Sequence, residues 1–225
     1  MSKFRQLMVV CLVSGALTGL VSFAIQHFTV IPLIQAAETY ETAAHAAMGM
    51  HEDEGWQPSN GWQRTSFTAL ATMLSGIGYA AVFFGVLGFA GTAINLKRGA
   101  LLGIAAFACV GLAPALGLPP QPPGVPVADL QARQLWWLGT AAATATGLWL
   151  VFGSRRNWVF RIAGVICITL PHLIGAPPAP PNHVVPTAIV HKFELASLAT
   201  TGVFWLLLGA FGGWLQRHFE AQEAR

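Results

Sequence analysis

Six separate stretches of this chain are apolar over about the 20 residues that an α-helix needs to cross a bilayer, and most of what the chain can become follows from them. They cover residues 7–26, 66–93, 99–116, 135–152, 158–174 and 189–214. A backbone in hydrocarbon has no water to hydrogen-bond, so each run is predicted to be helical. Composition closes the soluble alternative. Charged residues make up 9% of the chain, against roughly 25% in an ordinary soluble domain, too few to cover a water-facing surface. The expectation is an all-α integral membrane protein, one polytopic domain over residues 1–225 with six transmembrane helices. The third and fifth runs are the shortest and both lead into proline-rich sequence, so a five-span alternative has one of them re-entering.

The first run follows a charged start, as in a secretory signal. Its candidate small-residue site, Ala36-Ala37, lies well past the apolar core and beyond Pro32, so a retained first span is expected rather than a cleaved leader. Basic residues set the orientation. With the N-terminus inside, Lys3, Arg5, Lys97, Arg98, Arg155, Arg156, Arg161, Arg217 and Arg225 are cytoplasmic, and only Arg64, Arg133 and Lys192 of the 12 are outside. That asymmetry matches the positive-inside rule. The inner connections 94–98 and 153–157 are short, whereas the outer ones, 27–65, 117–134 and 175–188, are long. The chain therefore reads as three outward-opening hairpins, 1–93, 97–152 and 155–215, with a cytoplasmic tail over 216–225. Trp56, Trp62, Trp136 and Trp137 fall near outer boundaries, and Trp158 and Trp214 near inner ones, as aromatic belts do.

Hairpins two and three read as an internal duplication. At a constant offset of 58, Lys97-Arg98 matches Arg155-Arg156, Cys109 matches Cys167, and Gly117-Leu-Pro-Pro-Gln-Pro-Pro matches Gly175-Ala-Pro-Pro-Ala-Pro-Pro. Convergent low complexity is the alternative; the unbroken register through three unlike features favours duplication. Parallel repeats of this kind occur in transporters.

The net charge of +3 is split into short clusters with no continuous basic stripe, which argues against nucleic acid as a partner. Cys11, Cys109 and Cys167 lie in apolar runs without metal-type spacing, so neither a zinc motif nor a disulfide framework is expected. There is no phosphate loop, no catalytic triad and no HExxH arrangement, and the span centres hold no Asp or Glu. An enzyme is not expected. The polar groups of the spans are hydroxyls: Ser14, Thr18 and Ser22; Thr68, Thr72 and Ser75; Thr140, Thr144 and Thr146; Thr200 and Thr201. With Gly15/Gly19 and Gly99/Gly103 at GxxxG spacing, they point to close helix packing.

Candidate ligands gather on the outer side. Glu38, Glu41 and His45 are spaced to share one face of a helix, and Met48, Met50, His51, Glu52, Asp53 and Glu54 follow directly. A solvated acidic loop fits this segment as well as metal capture does. A second group lies nearer the bilayer: His172 after Pro171, His183, and His191 with Glu194 three residues on. Imidazole and carboxylate suit divalent first-row ions. Interfacial hydrogen-bonding histidines are the bland counterpart of that reading. Of the two groups, His172, His191 and Glu194 rank first, because helix ends beside proline-stiffened backbone can hold ligands in place before an ion arrives.

Several segments resemble the CbtA proteins of bacteria, a family of predicted cobalt transporter subunits: Pro32-Leu, Glu38 to Glu41, Trp56-Gln-Pro with Gly61 to Thr65, Pro114-Ala-Leu-Gly-Leu-Pro-Pro-Gln-Pro-Pro-Gly124, Asp129-Leu with Arg133-Gln-Leu-Trp-Trp137, and Pro171-His-Leu-Ile-Gly-Ala-Pro177. The resemblance implies a multi-spanning bacterial cytoplasmic-membrane component of cobalt uptake. It also implies a small single-span partner bearing histidines (CbtB-like), and it assigns no ligands. The combined expectation is uptake of a divalent transition metal, Co²⁺ first, with the metal as cargo and no resident cofactor. The alternative is a non-transporting membrane scaffold or a metal-binding accessory to a permease.

Overall fold

The computed structural model describes residues 3–49, 55–153, 157–181 and 184–223. Among these there is no strand, and every apolar run is a helix. In chain order these are α1 (Lys3–Thr29), α2 (Ile31–Ala47), α3 (Trp62–Phe89), α4 (Leu96–Phe107), a π turn (Ala108–Leu112) running into α5 (Ala113–Ala115), α6 (Leu130–Phe152), α7 (Trp158–Ile174) and α8 (Thr187–Glu223). Five are long and apolar enough to cross a membrane: α1, α3, the continuous 96–115 segment, α6 and α8. The fifth apolar run, α7, has 17 residues and would rise about 25 Å. The predicted outer loop 27–65 is not irregular throughout, since α2 occupies 17 of its residues.

Polar residues fix the starts of α4, α6 and α7. The Asp129 carboxylate accepts from the Ala132 amide at 2.9 Å, Asn157 Oδ1 from Phe160 at 3.3 Å and Asn95 Oδ1 from Arg98 at 3.0 Å. Each satisfies a donor that the first turn of a helix leaves without an intrahelical acceptor.

The chain forms two compact units. The first comprises Met1–Thr29, His51–Ile104 and Ala199–Arg225, and glycines hold it together. A Cβ on Gly15 would lie 2.6 Å from Ile77 Cα, and one on Gly19 would lie 2.7 Å from Met73 Cα, so α1 and α3 touch backbone to backbone. Likewise Gly99 and Gly103 on α4 meet Gly209 and Gly213 on α8, with a Cβ on Gly103 falling 2.1 Å from the Trp205 carbonyl oxygen. Both expected GxxxG pairs are therefore packing surfaces. Gly76, Gly209 and Gly213 are their partners. Around them Tyr79, Phe83, Phe204 and Trp205 pack edge to face at 5.6–5.8 Å, and Phe84 lies over Gly212. All three cysteines are free, and Cys11 Sγ lies 3.7 Å from the Ala80 carbonyl oxygen.

The second unit comprises Val30–Met50 and Ala105–Leu198. Its frame is the α6–α7 hairpin, closed where Gly147 and Gly164 each approach the other's carbonyl. The starts of the two proline motifs adjoin here, for a Cβ on Gly117 would meet Trp136 Cη2 at 2.5 Å and Ala176 Cβ at 2.9 Å. A small core of Ala37, Val185 and Val190, flanked by Val125 and Ile189, joins α2 to the start of α8. Leu173 and Ile174 of α7 are 81% and 74% exposed and Phe89 of α3 is 98% exposed, as side chains solvated by lipid rather than water would be.

Candidate metal site

The first turns of α8 bring two predicted ligands together. The Pro186 carbonyl accepts from the amides of Ile189 at 2.9 Å and Val190 at 3.2 Å, which closes the entry into the helix. His191 and Glu194 then share a face, with imidazole Nδ1 3.0 Å from carboxylate Oε2. The other oxygen, Oε1, accepts from Gln121 Nε2 at 3.2 Å. Glu194 is thus tied both to its own helix and to the Pro-Pro-Gln-Pro-Pro segment. His191 is 68% exposed and Glu194 19%. With Nδ1 turned to the carboxylate, Nε2 is the nitrogen left for a metal. A carboxylate partner of this kind fixes the orientation of the ring.

The acidic face of α2 borders this region. Glu38, Glu41 and His45 are all half-buried on one side of the helix. Gly124, at φ +76, occupies a backbone region that only glycine enters freely, and a Cβ there would come within 3.1 Å of Glu41 Cβ and of Val185 Cγ2. Glu41 therefore lies against the turn that follows Gln121.

His172 has a different setting. It sits near the end of α7, which stops at Gly175 (φ +89), whose amide donates to the Pro171 carbonyl at 3.0 Å. Its ring packs edge-on against Trp136 with centroids 6.0 Å apart. His172 Nε2, Trp136 Nε1 and Gln121 Oε1 are all sealed from solvent without a hydrogen-bond partner among the described residues. His51 and His183 lie outside the described residues.

Among the described residues, no three His, Cys, Asp or Glu side chains come close enough to hold a metal ion. The structure joins His191 to Glu194 and does not bring His172 or the α2 trio into a closed set with them. As they stand, His191 offers a cation one nitrogen, Nε2, and Glu194 becomes a second ligand only by letting go of the ring; a cation held so keeps most of its water, as cargo would, whereas a structural metal site needs more ligands. Sequence reasoning missed Gln121 and Trp136. The only signal for Gln121 was its position as the one polar residue between two proline pairs.

The family model described as "Probable cobalt transporter subunit (CbtA)" matches residues 4–217. The chain belongs to this family. No curated protein and no solved structure matches it. As a member of a transporter-subunit family with five helices fit to span a bilayer, it is a multi-pass membrane protein.

Proposed function

We propose that this CbtA-family chain is the uptake component for a divalent transition metal, Co²⁺ first, in the bacterial cytoplasmic membrane. The observation that carries the reading is the His191–Glu194 pair, anchored by Gln121, at the start of a long apolar helix in a chain of this family. In this reading α7 is the sixth span, its exposed Leu173 and Ile174 facing lipid. The three hairpins open outward and both termini are cytoplasmic, as the basic residues dictate. The adjoining proline motifs, Gly117 against Ala176, agree with duplicated hairpins related by an axis along the membrane normal. Metal is cargo, the chain catalyses no reaction and holds no resident cofactor, and the inside-negative potential supplies about 4.6 kcal/mol per 100 mV for a divalent ion. Imidazole and carboxylate prefer nickel, copper and zinc over cobalt by intrinsic affinity, so selection rests on geometry and supply.

A second reading has one observation in its favour. The absence of a three-ligand cluster among the described residues suits an accessory whose ligand set is completed by a small histidine-bearing partner (CbtB-like). Liposomes containing the purified chain decide between the two. Uptake of radiolabelled Co²⁺ driven by an inside-negative potential supports a transporter; uptake only when the partner is co-reconstituted supports the accessory.

A further inference from the structure

The hydroxyls of helix residues in a membrane usually return to a carbonyl of their own helix. Here Thr68 and Thr72 donate to the carbonyls four residues back at 2.8 Å, Thr65 does so at 2.9 Å and Thr169 at 3.0 Å. Thr140 and Thr144 of α6 do not. Both are almost fully buried, 0% and 3% exposed, and neither Oγ1 has a hydrogen-bond partner among the described residues. Trp136, one turn earlier on the same face, has its indole Nε1 sealed and unpartnered as well. Residues 136, 140 and 144 follow each other at i, i+4 and i+8, so these orphan groups form a stripe about 12 Å long down one side of α6. The stripe begins at the Trp136–His172 contact, beside the unpartnered His172 Nε2. In the same unit α6 packs against α7 and against the π turn Ala108–Leu112, the kind of helix irregularity that often marks a functional site.

Buried polar groups without partners are costly, and a row of them on one helix face calls for something that pairs with them at another time. Trp136 can only donate, so it suits a water oxygen and not a cation. Threonine oxygens also accept, so they suit a cation or the waters around it. No carboxylate lies on the stripe, so nothing there would hold a divalent ion tightly. We infer that the Trp136–Thr140–Thr144 face of α6 is the inward continuation of the ion route, closed in this conformation and opening to admit water and a partly hydrated divalent cation. This rests on the uptake reading above, but its test does not depend on transport.

Thr140→Cys and Thr144→Cys, each in the full chain with Cys11, Cys109 and Cys167 changed to Ala, are exposed in right-side-out vesicles to ethylammonium methanethiosulfonate, with Thr169→Cys on the exposed face of α7 as the control. Both stripe positions should react at least tenfold faster than the control, and Co²⁺ should slow them. Reaction no faster than the control overturns the inference. In parallel, Thr140→Val/Thr144→Val should cut Co²⁺ uptake at least tenfold, with Co²⁺ binding at the His191 end unchanged and Ser at both positions restoring uptake. A Val pair that raises thermal stability and transports normally marks the hydroxyls as mere packing, and the inference falls. A wild-type chain that neither binds nor moves Co²⁺ sinks the uptake reading instead, and labelling of the two cysteines then decides alone whether the stripe opens to water.

Discussion

Gly103→Ala should destabilise the protein by about 1 kcal/mol net although it adds a single methyl group to a helix. The new Cβ would lie 2.1 Å from the Trp205 carbonyl oxygen and 3.0 Å from its carbon. Ordinary contact begins near 3.4 Å, so α8 must withdraw from α4 by about 1.3 Å, the difference of 3.4 and 2.1. The obstacle is backbone, which cannot rotate aside as a side chain would. A gap of that size forfeits much of the dispersion energy along the crossing, and overpacking of this kind costs about 1–3 kcal/mol. Apolar lipid offers no hydrophobic force to press the helices back together. Against this stands a gain of about 1 kcal/mol in helix propensity. Gly78→Ala isolates that gain, because a Cβ at Gly78 meets nothing within 4 Å. The two variants should therefore differ by about 2 kcal/mol, close to thirtyfold in the unfolding equilibrium. SDS titration in mixed micelles, followed by tryptophan fluorescence, reads the difference, and Trp205 at the crossing is a native reporter. If Gly103→Ala proves as stable as Gly78→Ala, the backbone contact between α4 and α8 does not exist as described.

Topology is testable by thiol chemistry: Met48→Cys and Pro122→Cys should react with an impermeant reagent in intact cells, and Arg98→Cys and Arg155→Cys only after permeabilisation; the opposite pattern inverts the orientation. His172→Ala, and separately His191→Ala/Glu194→Ala, should abolish Co²⁺ uptake at every concentration tried, whereas deletion of residues 46–54 should only raise the concentration needed. A dead loop deletion beside active ligand variants reverses that ranking. Gln121→Leu should weaken half-saturation for Co²⁺ about tenfold or less while leaving the fold intact by circular dichroism, since it frees Glu194 Oε1 without touching His191; an unchanged uptake curve would show that the proline segment does not position the carboxylate.

The helices were legible because one physical constraint, the thickness of hydrocarbon, writes itself along the sequence. The third run, expected at 99–116, is helical over Leu96–Ala115, and the fourth, expected from 135, begins earlier at Leu130 because Asp129 caps it. Hydropathy reports the solvent of a segment and says nothing of its neighbours. It signalled Gly99 and Gly103 through their spacing, yet could not name Gly209 and Gly213 as the surface they meet. The π turn at Ala108–Leu112 left no mark, since Ala-Cys-Val-Gly-Leu has an ordinary apolar composition. The helix spacing of Glu38, Glu41 and His45 was readable; that Glu41 would border the Gly124 turn was not, because the contact joins segments some 80 residues apart in sequence. For the same reason His191 and Glu194, three residues apart, were paired correctly, while their link to Gln121, 73 residues from Glu194, came only with the fold.

Glu194 commits one oxygen to His191 and the other to Gln121, and this has a kinetic meaning. A cation that takes this carboxylate as a ligand must either share each oxygen with a donor already bound there or displace that donor. A displaced donor stays beside the oxygen, ready to reclaim it when the ion leaves. Conduction demands binding strong enough to enter and weak enough to leave. A carboxylate held between two returning partners shortens residence time without weakening the charge that attracts the ion, which is what a passing site requires and a storage site would avoid.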